Sequence, residues 1–218
     1  MPTLTVIAGP NGSGKSTLTE WLVRQGTRLG EYLNADDIAR TLQGSPVDIA
    51  ARAQQIVRDR REAALAGRRD HAFETVMSHP SHIEYMQRAA ANGFGVRLYF
   101  VATEDPAINL DRVANRVLHG GHPVPPERIV SRYDRCLGNL PAAIMACDVC
   151  EVFDNSSASH PLRRLARIWR SSRGTALTHQ NLAVRRARTV DPADIPVWWL
   201  AILLEIKPES PFTSGLMK

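Results

Sequence analysis

The sequence predicts an α/β fold: a P-loop NTPase-type parallel sheet with helices on both faces, a helical lid and a short C-terminal extension. Three observations predict it. Short apolar runs alternate with helix-period segments as far as Asn155. The first run, Leu4 to Ala8, passes directly into Gly9-Pro10-Asn11-Gly12-Ser13-Gly14-Lys15-Ser16, a complete G-x-x-x-x-G-K-S followed by a helical pattern. The chain of 218 residues, 44% hydrophobic and 22% charged, has the size and composition of one such domain with a small appended element.

Each element has a local reason. A helix is expected from Lys15 to about Gly26, and a short strand over Glu31-Tyr32-Leu33-Asn34 ending in Ala35-Asp36-Asp37. Pro46 opens a long helix to about Ala66, with Ile49, Ala53, Ile56 and Ala63 or Ala64 on its inner face. A strand is expected over Ala72 to Thr75, then a helix from Pro80 to Asn92 with Ile83, Met86 and Ala90 inward, stopped by Gly93. Val96 to Ala102 reads as a buried strand. Asp105-Pro106 starts a helix to about His119, and Pro125-Pro126 starts another to about Leu137. Val149 to Asp154 is a fifth strand. Residues 1–160 are expected to form the P-loop core, with the lid over 105–139. Residues 161–218 form the extension, where Arg163 to Trp169 and Ala176 to Arg185 pair as a hairpin and Ile195 to Ile206 closes the core.

Composition narrows the function classes. The net charge of +5, carried far more by arginine than lysine, suits polyanionic ligands without choosing between nucleotides and nucleic acid. No apolar run approaches the roughly 20 residues of a membrane span, and the loop at residue 9 leaves no room for a signal peptide, so a cytoplasmic protein is expected. Cys136, Cys147 and Cys150 read as core cysteines, because no further ligands follow the C-x-x-C at a zinc-binding spacing.

The glycine-rich loop carries the clearest chemistry. Its glycines let backbone N–H groups turn inward around phosphates, Lys15 reaches the terminal phosphates, and the following helix presents its positive end. Gly9, Asn11, Gly12, Ser13, Gly14, Lys15, Ser16 and Thr17 are therefore the expected nucleotide contacts, with Ser16 offering its hydroxyl to Mg²⁺. ATP is expected in preference to GTP, since the N-K-x-D that reads guanine is absent. Transport-ATPase signatures are absent too, which leaves a kinase of small molecules.

Such a kinase needs an acceptor-side base, a substrate-holding acid and a lid. Asp36 follows the second strand, where a carboxylate can take the acceptor proton and order the water shell of Mg²⁺. Asp37 either caps the next helix or joins the acceptor side. Glu74, with Thr75, ends the third strand and points into the ligand crevice. Asn109, Arg112, Arg116 and His119 share one helix face, and Arg128, Arg132 and Arg135 share another. Arg116 and Arg132 flank the turn 120–126 as the catalytic pair, with His122 in the turn on the acceptor side.

With these motifs in order the chain resembles the zeta toxin family of P-loop kinases, in its compact branch. The resemblance rests on V-I-A-G-P-N-G-S-G-K-S-T at 6–17, L-N-A-D-D-I-A at 33–39, F-E-T at 73–75, R-V-L-H-G-G-H-P-V-P-P-E-R-I-V-S-R-Y at 116–133, F-D-N-S at 153–156 and I-P-V-W-W at 195–199. It implies ATP-dependent phosphorylation of UDP-N-acetylglucosamine, toxicity, and restraint by a small antitoxin. It also implies that Asp36 is the base, Glu74 the substrate acid and Arg116 the first lid arginine, with His122 or Arg132 in place of the second. Two other readings stay open: a housekeeping nucleotide or metabolite kinase, and a nucleic-acid-associated module using the arginines after residue 162. The last ranks lowest, because no aromatic platform accompanies those arginines.

Overall fold

The structure, a computed structural model, describes residues 1–121, 123–170, 182–186 and 195–206. Its sheet has seven strands in the order β2-β3-β1-β4-β5-β6-β7. These are β1 (Thr3–Ala8), β2 (Glu31–Leu33), β3 (His71–Thr75), β4 (Gly95–Ala102), β5 (Val149–Asp154), β6 (Arg163–Arg170) and β7 (Leu182–Arg186). The first five pair in parallel, and β6 and β7 add antiparallel to the β5 edge. The fold is the expected P-loop NTPase-like α/β fold, with a mostly parallel sheet. The strand β1 is the middle one of the five parallel strands, so its carboxyl end opens into the middle of the crevice.

Strand alternation sorts the core. Leu4, Val6, Phe73, Leu98 and Phe100 face the larger cluster. That face is covered by α3 (Pro46–Ala66), α4 (Ser81–Ala91), α6 (Pro126–Met145) and α7 (Val197–Ile206). Ile7, Ala72, Val101 and Phe153 face a smaller cluster under α1 (Lys15–Arg24), where Trp21 meets Phe153 edge-on at 5.8 Å. The remaining helices are α2 (Ala35–Ala39) and α5 (Pro106–Leu118). Trp198 and Trp199 of α7 are buried, with the Trp198 ring tilted against Phe100 at 6.1 Å.

Three local expectations change. The strand β2 stops at Leu33, because Asn34 leaves the ladder to cap α2: its side chain accepts from the Asp36 N–H. The helix α6 does not stop at Leu137 but runs through Gly138 and Pro141 to Met145. A proline inside a helix costs about 3 kcal/mol, and burial of Leu140, Pro141, Ala143 and Ile144 against the sheet offsets it. The buried stripe of α3 is Ala53, Val57, Arg61 and Ala64, rotated from the predicted one, so Ile49 and Ile56 sit at its margin and a charged residue lies inside. His122 lies outside the described residues, as does the start of the predicted second hairpin strand, residues 176–181.

Candidate nucleotide and acceptor site

The phosphate loop joins β1 to α1, and its shape depends on two glycines. Gly12 has φ 76°, and a Cβ there would stand 2.6 Å from the Asn109 carbonyl oxygen. Gly14 has φ 96°, and a Cβ there would stand 2.4 Å from Asn155 Nδ2. Both positions need left-handed backbone and close approach, Gly12 to the backbone of Asn109 and Gly14 to the side chain of Asn155. The braces are hydrogen bonds to loop carbonyls: Asn109 Nδ2 donates to Asn11 O at 2.6 Å, and Asn155 Nδ2 donates to Ser13 O at 2.8 Å. Asn11 Oδ1 and Ser13 Oγ are buried with no hydrogen-bond partner among the described residues. A loop whose backbone is fixed from outside while polar atoms inside stay unpaired is preorganised for a polar ligand.

Lys15 lies at the centre. Its Nζ donates to Gly9 O at 2.9 Å and Pro10 O at 3.0 Å. Burial pulls its pKa below the ordinary lysine value; Glu74 opposes this most, then Cys136 and Asp36, while Arg116 adds to it. Three of the predicted site residues, Asp36, Glu74 and Arg116, thus lie within electrostatic reach of the Lys15 ammonium. Ser16 and Thr17 are exposed in the first turn of α1.

Glu74 is held by the chain's own hydroxyls. Its Oε1 accepts from Thr19 Oγ1 at 2.7 Å and from the Tyr32 hydroxyl at 2.6 Å, and its Oε2 accepts from Ser16 Oγ at 3.3 Å. The expected crevice-facing acid is turned toward α1 and the serine of the loop. Tyr32 in turn accepts from Asn34 Nδ2 at 3.1 Å, and Asn34 Oδ1 accepts from the Asp36 N–H at 2.8 Å. One chain of hydrogen bonds therefore connects the two acids. Burial and the Glu74 carboxylate raise the Tyr32 pKa, so the phenol stays a donor.

The other predicted residues divide. Asp37 does not cap α2, since Asn34 holds that position; it is exposed and pairs with Arg40 at 2.7 Å. Thr75 is buried, and its Oγ1 accepts from the Met77 N–H at 2.9 Å. Met77 has φ 56° and its carbonyl accepts from Asn139 of α6 at 2.9 Å, so the segment after β3 is fixed from two sides. Asn109 does not lie on a solvated lid face but is fully buried against the loop. Arg112 is half-buried with Nη1 unpaired, and Arg116 is exposed in the last turn of α5. Gly121 folds back over Arg116, its N–H donating to Arg116 O at 2.9 Å. Arg132 is half-buried; burial lowers its pKa first, then Arg128 and Arg135. Sequence reasoning missed Thr19, Tyr32, Asn34 and Asn155 as site residues. For Asn34 a signal existed: an asparagine just before Ala-Asp-Asp is a helix-cap pattern, and Tyr32, two residues earlier, shares its strand face.

The residues present fit a magnesium ion. The Ser16 hydroxyl and the Glu74 and Asp36 carboxylates are hard oxygen donors gathered at the loop, the donor set that Mg²⁺ takes.

The family model AAA_33, described as an AAA domain, matches residues 4–135. An uncharacterized protein of Haemophilus influenzae is 32% identical over 130 residues, which is 57% of this chain and 88% of that one. A chain of the AvrRxo1-ORF1:-ORF2 complex crystallised with ATP superposes with a TM-score of 0.58 at 18% identity, over 99% of this chain and 74% of that chain. In the sulphate-bound crystal of the same complex this chain spans 58% of its neighbour's length and matches over 77% of its own, with a TM-score of 0.58 at 19% identity. A structure of the PezAT chromosomal toxin–antitoxin system of Streptococcus pneumoniae superposes with a TM-score of 0.53 at 14% identity, over 71% of this chain and 68% of that one. At such identities the likeness is one of fold, and the shared fold is a P-loop α/β fold. Among the described residues no helix is long and apolar enough to cross a membrane.

Proposed function

The chain belongs to the AAA_33 family of P-loop domains, and on that premise we propose that it is an ATP-dependent kinase acting on the hydroxyl of a small acceptor. The observation that carries this reading is the phosphate loop with the Glu74 carboxylate hydrogen-bonded to Ser16 at 3.3 Å, and with the charges of Glu74 and Asp36 both acting on the Lys15 ammonium. One acid is thereby committed to the loop serine, which leaves Asp36 for the acceptor side.

The roles follow from charge and position. Backbone N–H groups of the loop hold the β- and γ-phosphates, with the Lys15 ammonium as the point charge. Ser16 would hold Mg²⁺ directly, Glu74 would fix the Ser16 hydroxyl, and Asp36 would hold the ion through water. When bound, the ion neutralises charge on the transferring phosphoryl oxygens. The acceptor oxygen forms a bond to the γ-phosphorus as the bond to the β–γ bridging oxygen breaks, and ADP leaves. The acceptor proton passes to the Asp36 carboxylate and then to water. Arg116 spreads the charge that develops in the transition state, with Arg132 or His122 as its companion.

The resemblance to zeta toxins directs the finer reading. UDP-N-acetylglucosamine or a related sugar nucleotide is the first acceptor to test, in a cytoplasmic enzyme restrained by a small antitoxin. The fold neighbour from the PezAT toxin–antitoxin system supports that order of testing. The nucleic-acid reading loses ground, because arginines it would use are engaged elsewhere: Arg163 pairs with Asp154 at 3.0 Å, and Arg164 with Glu151 at 3.1 Å.

The experiment is ATP turnover against a panel of UDP-sugars, nucleosides and nucleotides, with products identified by mass. Acceptor-dependent ADP release that vanishes in Lys15→Ala is expected. Turnover in that variant equal to the parent's would refute the loop assignment.

A further inference from the structure

Arg61 is a buried cation left without a carboxylate. It is 8% exposed, its guanidinium carbon lies 4.1 Å from the ring centroids of both Phe73 and Tyr85, and its Nε is buried with no hydrogen-bond partner. The acid whose field reaches it, Glu62, is already gripped by both terminal nitrogens of Arg88, at 3.2 and 2.6 Å. Among the described residues no carboxylate stands within ion-pair distance of Arg61. Removing such a charge from water costs several kcal/mol. The two aromatic faces and the Tyr85 hydroxyl return part of that cost but supply no counter-charge.

The side chain is aimed toward the crevice. The helix α3 ends at Ala66, just before β3 begins at His71, so the two run in opposite directions. Helical side chains lean toward their helix N-terminus. Arg61 therefore rises from the base of β3, where its own carbonyl accepts from the Tyr85 hydroxyl, to the level of Phe73, below Glu74 and Thr75. The helix α4 starts at that same end of the sheet, with no side-chain cap. His82, in its first turn, lies over Phe73 with ring centroids 6.0 Å apart, and its Nδ1 is also buried without a partner. Both side chains lie against the Phe73 ring, two residues before Thr75, and each carries a buried nitrogen without a hydrogen-bond partner.

We propose that Arg61 and His82 form an anion subsite on the acceptor side of the crevice, and that it receives a phosphate group of a phosphorylated acceptor. Only the word acceptor rests on the kinase reading above; the subsite itself rests on a buried guanidinium that has no carboxylate partner among the described residues and whose Nε is unpaired. The planar guanidinium fork matches phosphate oxygens, and the imidazole can donate from Nδ1. Burial first, then the charges of Arg61 and His79, push the His82 pKa down to about 4, and a bound anion would relieve that strain. A nucleotide or sugar nucleotide would place its phosphate here and its hydroxyl toward Asp36, whereas an uncharged sugar would leave Arg61 unsatisfied.

Calorimetric titration of the full chain with pyrophosphate tests this, with the phosphate loop saturated by a non-hydrolysable ATP analogue. One-to-one binding is expected, weakened at least about tenfold in Arg61→Met, the scale of one charge-assisted hydrogen bond. Arg61→Met keeps an apolar stem between the two rings and should melt no lower than the parent. His82→Phe keeps the stacking on Phe73 and should weaken binding as well. Malonate, a dicarboxylate, should bind more weakly than pyrophosphate. The proposal is overturned if the parent does not bind pyrophosphate, if both variants bind it as the parent does, or if malonate binds equally well. It is overturned too if Arg61→Met lowers the melting temperature and leaves affinity intact, which would make Arg61 a structural pillar. Nothing turns over in this titration. Absence of acceptor phosphorylation in the turnover assay would therefore sink the kinase reading and leave the subsite standing.

Discussion

The side-chain amide of Asn109 reaches back 98 residues to donate to the carbonyl oxygen of Asn11 at 2.6 Å, fastening α5 to the phosphate loop. Its Oδ1 accepts from the Thr103 hydroxyl, and the Thr103 carbonyl accepts from the Tyr133 hydroxyl at 2.6 Å. The loop, α5 and α6 therefore hang on one line of buried hydrogen bonds.

Asn109→Ala should leave the buried Asn11 carbonyl without a donor, at a cost of about 1–3 kcal/mol. It should also weaken ATP binding, because the loop backbone would no longer be held in its binding shape. Asn109→Asp should be worse, since a carboxylate would face a carbonyl oxygen. Tyr133→Phe cuts the line at its far end and should cost stability with little change in ATP affinity. Melting curves with and without ATP separate these outcomes; unchanged ATP affinity in Asn109→Ala would reduce the contact to packing.

Asp36→Asn should lower phosphoryl transfer by roughly 10²–10⁴-fold while ATP still binds. Asp37→Asn removes a surface ion pair with Arg40 and should shift stability by less than about 0.5 kcal/mol with near-parental turnover. Single-turnover rates for the two variants decide the matter, and equal losses would move the base elsewhere.

Glu74→Gln should raise the Mg²⁺ concentration needed for half-maximal turnover by about 10–100-fold, the usual cost of losing a group that orients a metal ligand. Tyr32→Phe removes one of the hydrogen bonds to Glu74 and should shift the same curve less. A magnesium titration at saturating ATP reads both. A change in acceptor KM alone would return Glu74 to the substrate-holding role.

Stability should fall as pH drops below about 6.5. His71 and His82 are held in the neutral form: burial lowers both pKa values, that of His82 to about 4. As pH falls through the unfolded value of about 6.5, the unfolded chain takes up protons that the folded chain refuses. Each group then costs about 1.4 kcal/mol per pH unit until its folded pKa is reached. Melting temperature measured from pH 7.5 to 5 should decline, and His82→Phe should flatten the decline. A slope identical in parent and variant would remove His82 from the account.

The sequence made the loop and the order of strands legible, because glycine spacing and hydrophobic period are local signals. Asp36 could be placed because it follows a strand that had already been located. What stayed hidden was contact between distant segments. Nothing in the spacing of Asn109, Arg112 and Arg116 says that the first plugs into the loop at Asn11 while the others stay near the rim. A helical wheel groups the three, and only the docking of α5 on Gly12 separates them. Arg61 was missed for the same reason: a charge inside an α3 stripe shifts the expected face by one position, and the pair of rings that receives it comes from β3 and α4. The helix α6 runs past its expected end at Leu137 because burial on the sheet carries it through Gly138 and Pro141.

The position of α7 has a consequence for how the chain is made. The helix supplies Trp198, Trp199, Ile202, Leu203 and Ile206 to the same cluster as Leu4 and Val6 of the first strand. A nascent chain emerging from the ribosome can assemble its phosphate loop and parallel strands early, but it holds an uncovered apolar face until the segment near residue 206 is released. Chains usually fold from the N-terminal side during synthesis, and exposed apolar surface is where they aggregate. Premature termination within α6 or β6 should therefore produce chains that engage chaperones or precipitate, although every residue of the glycine-rich loop has already been synthesised.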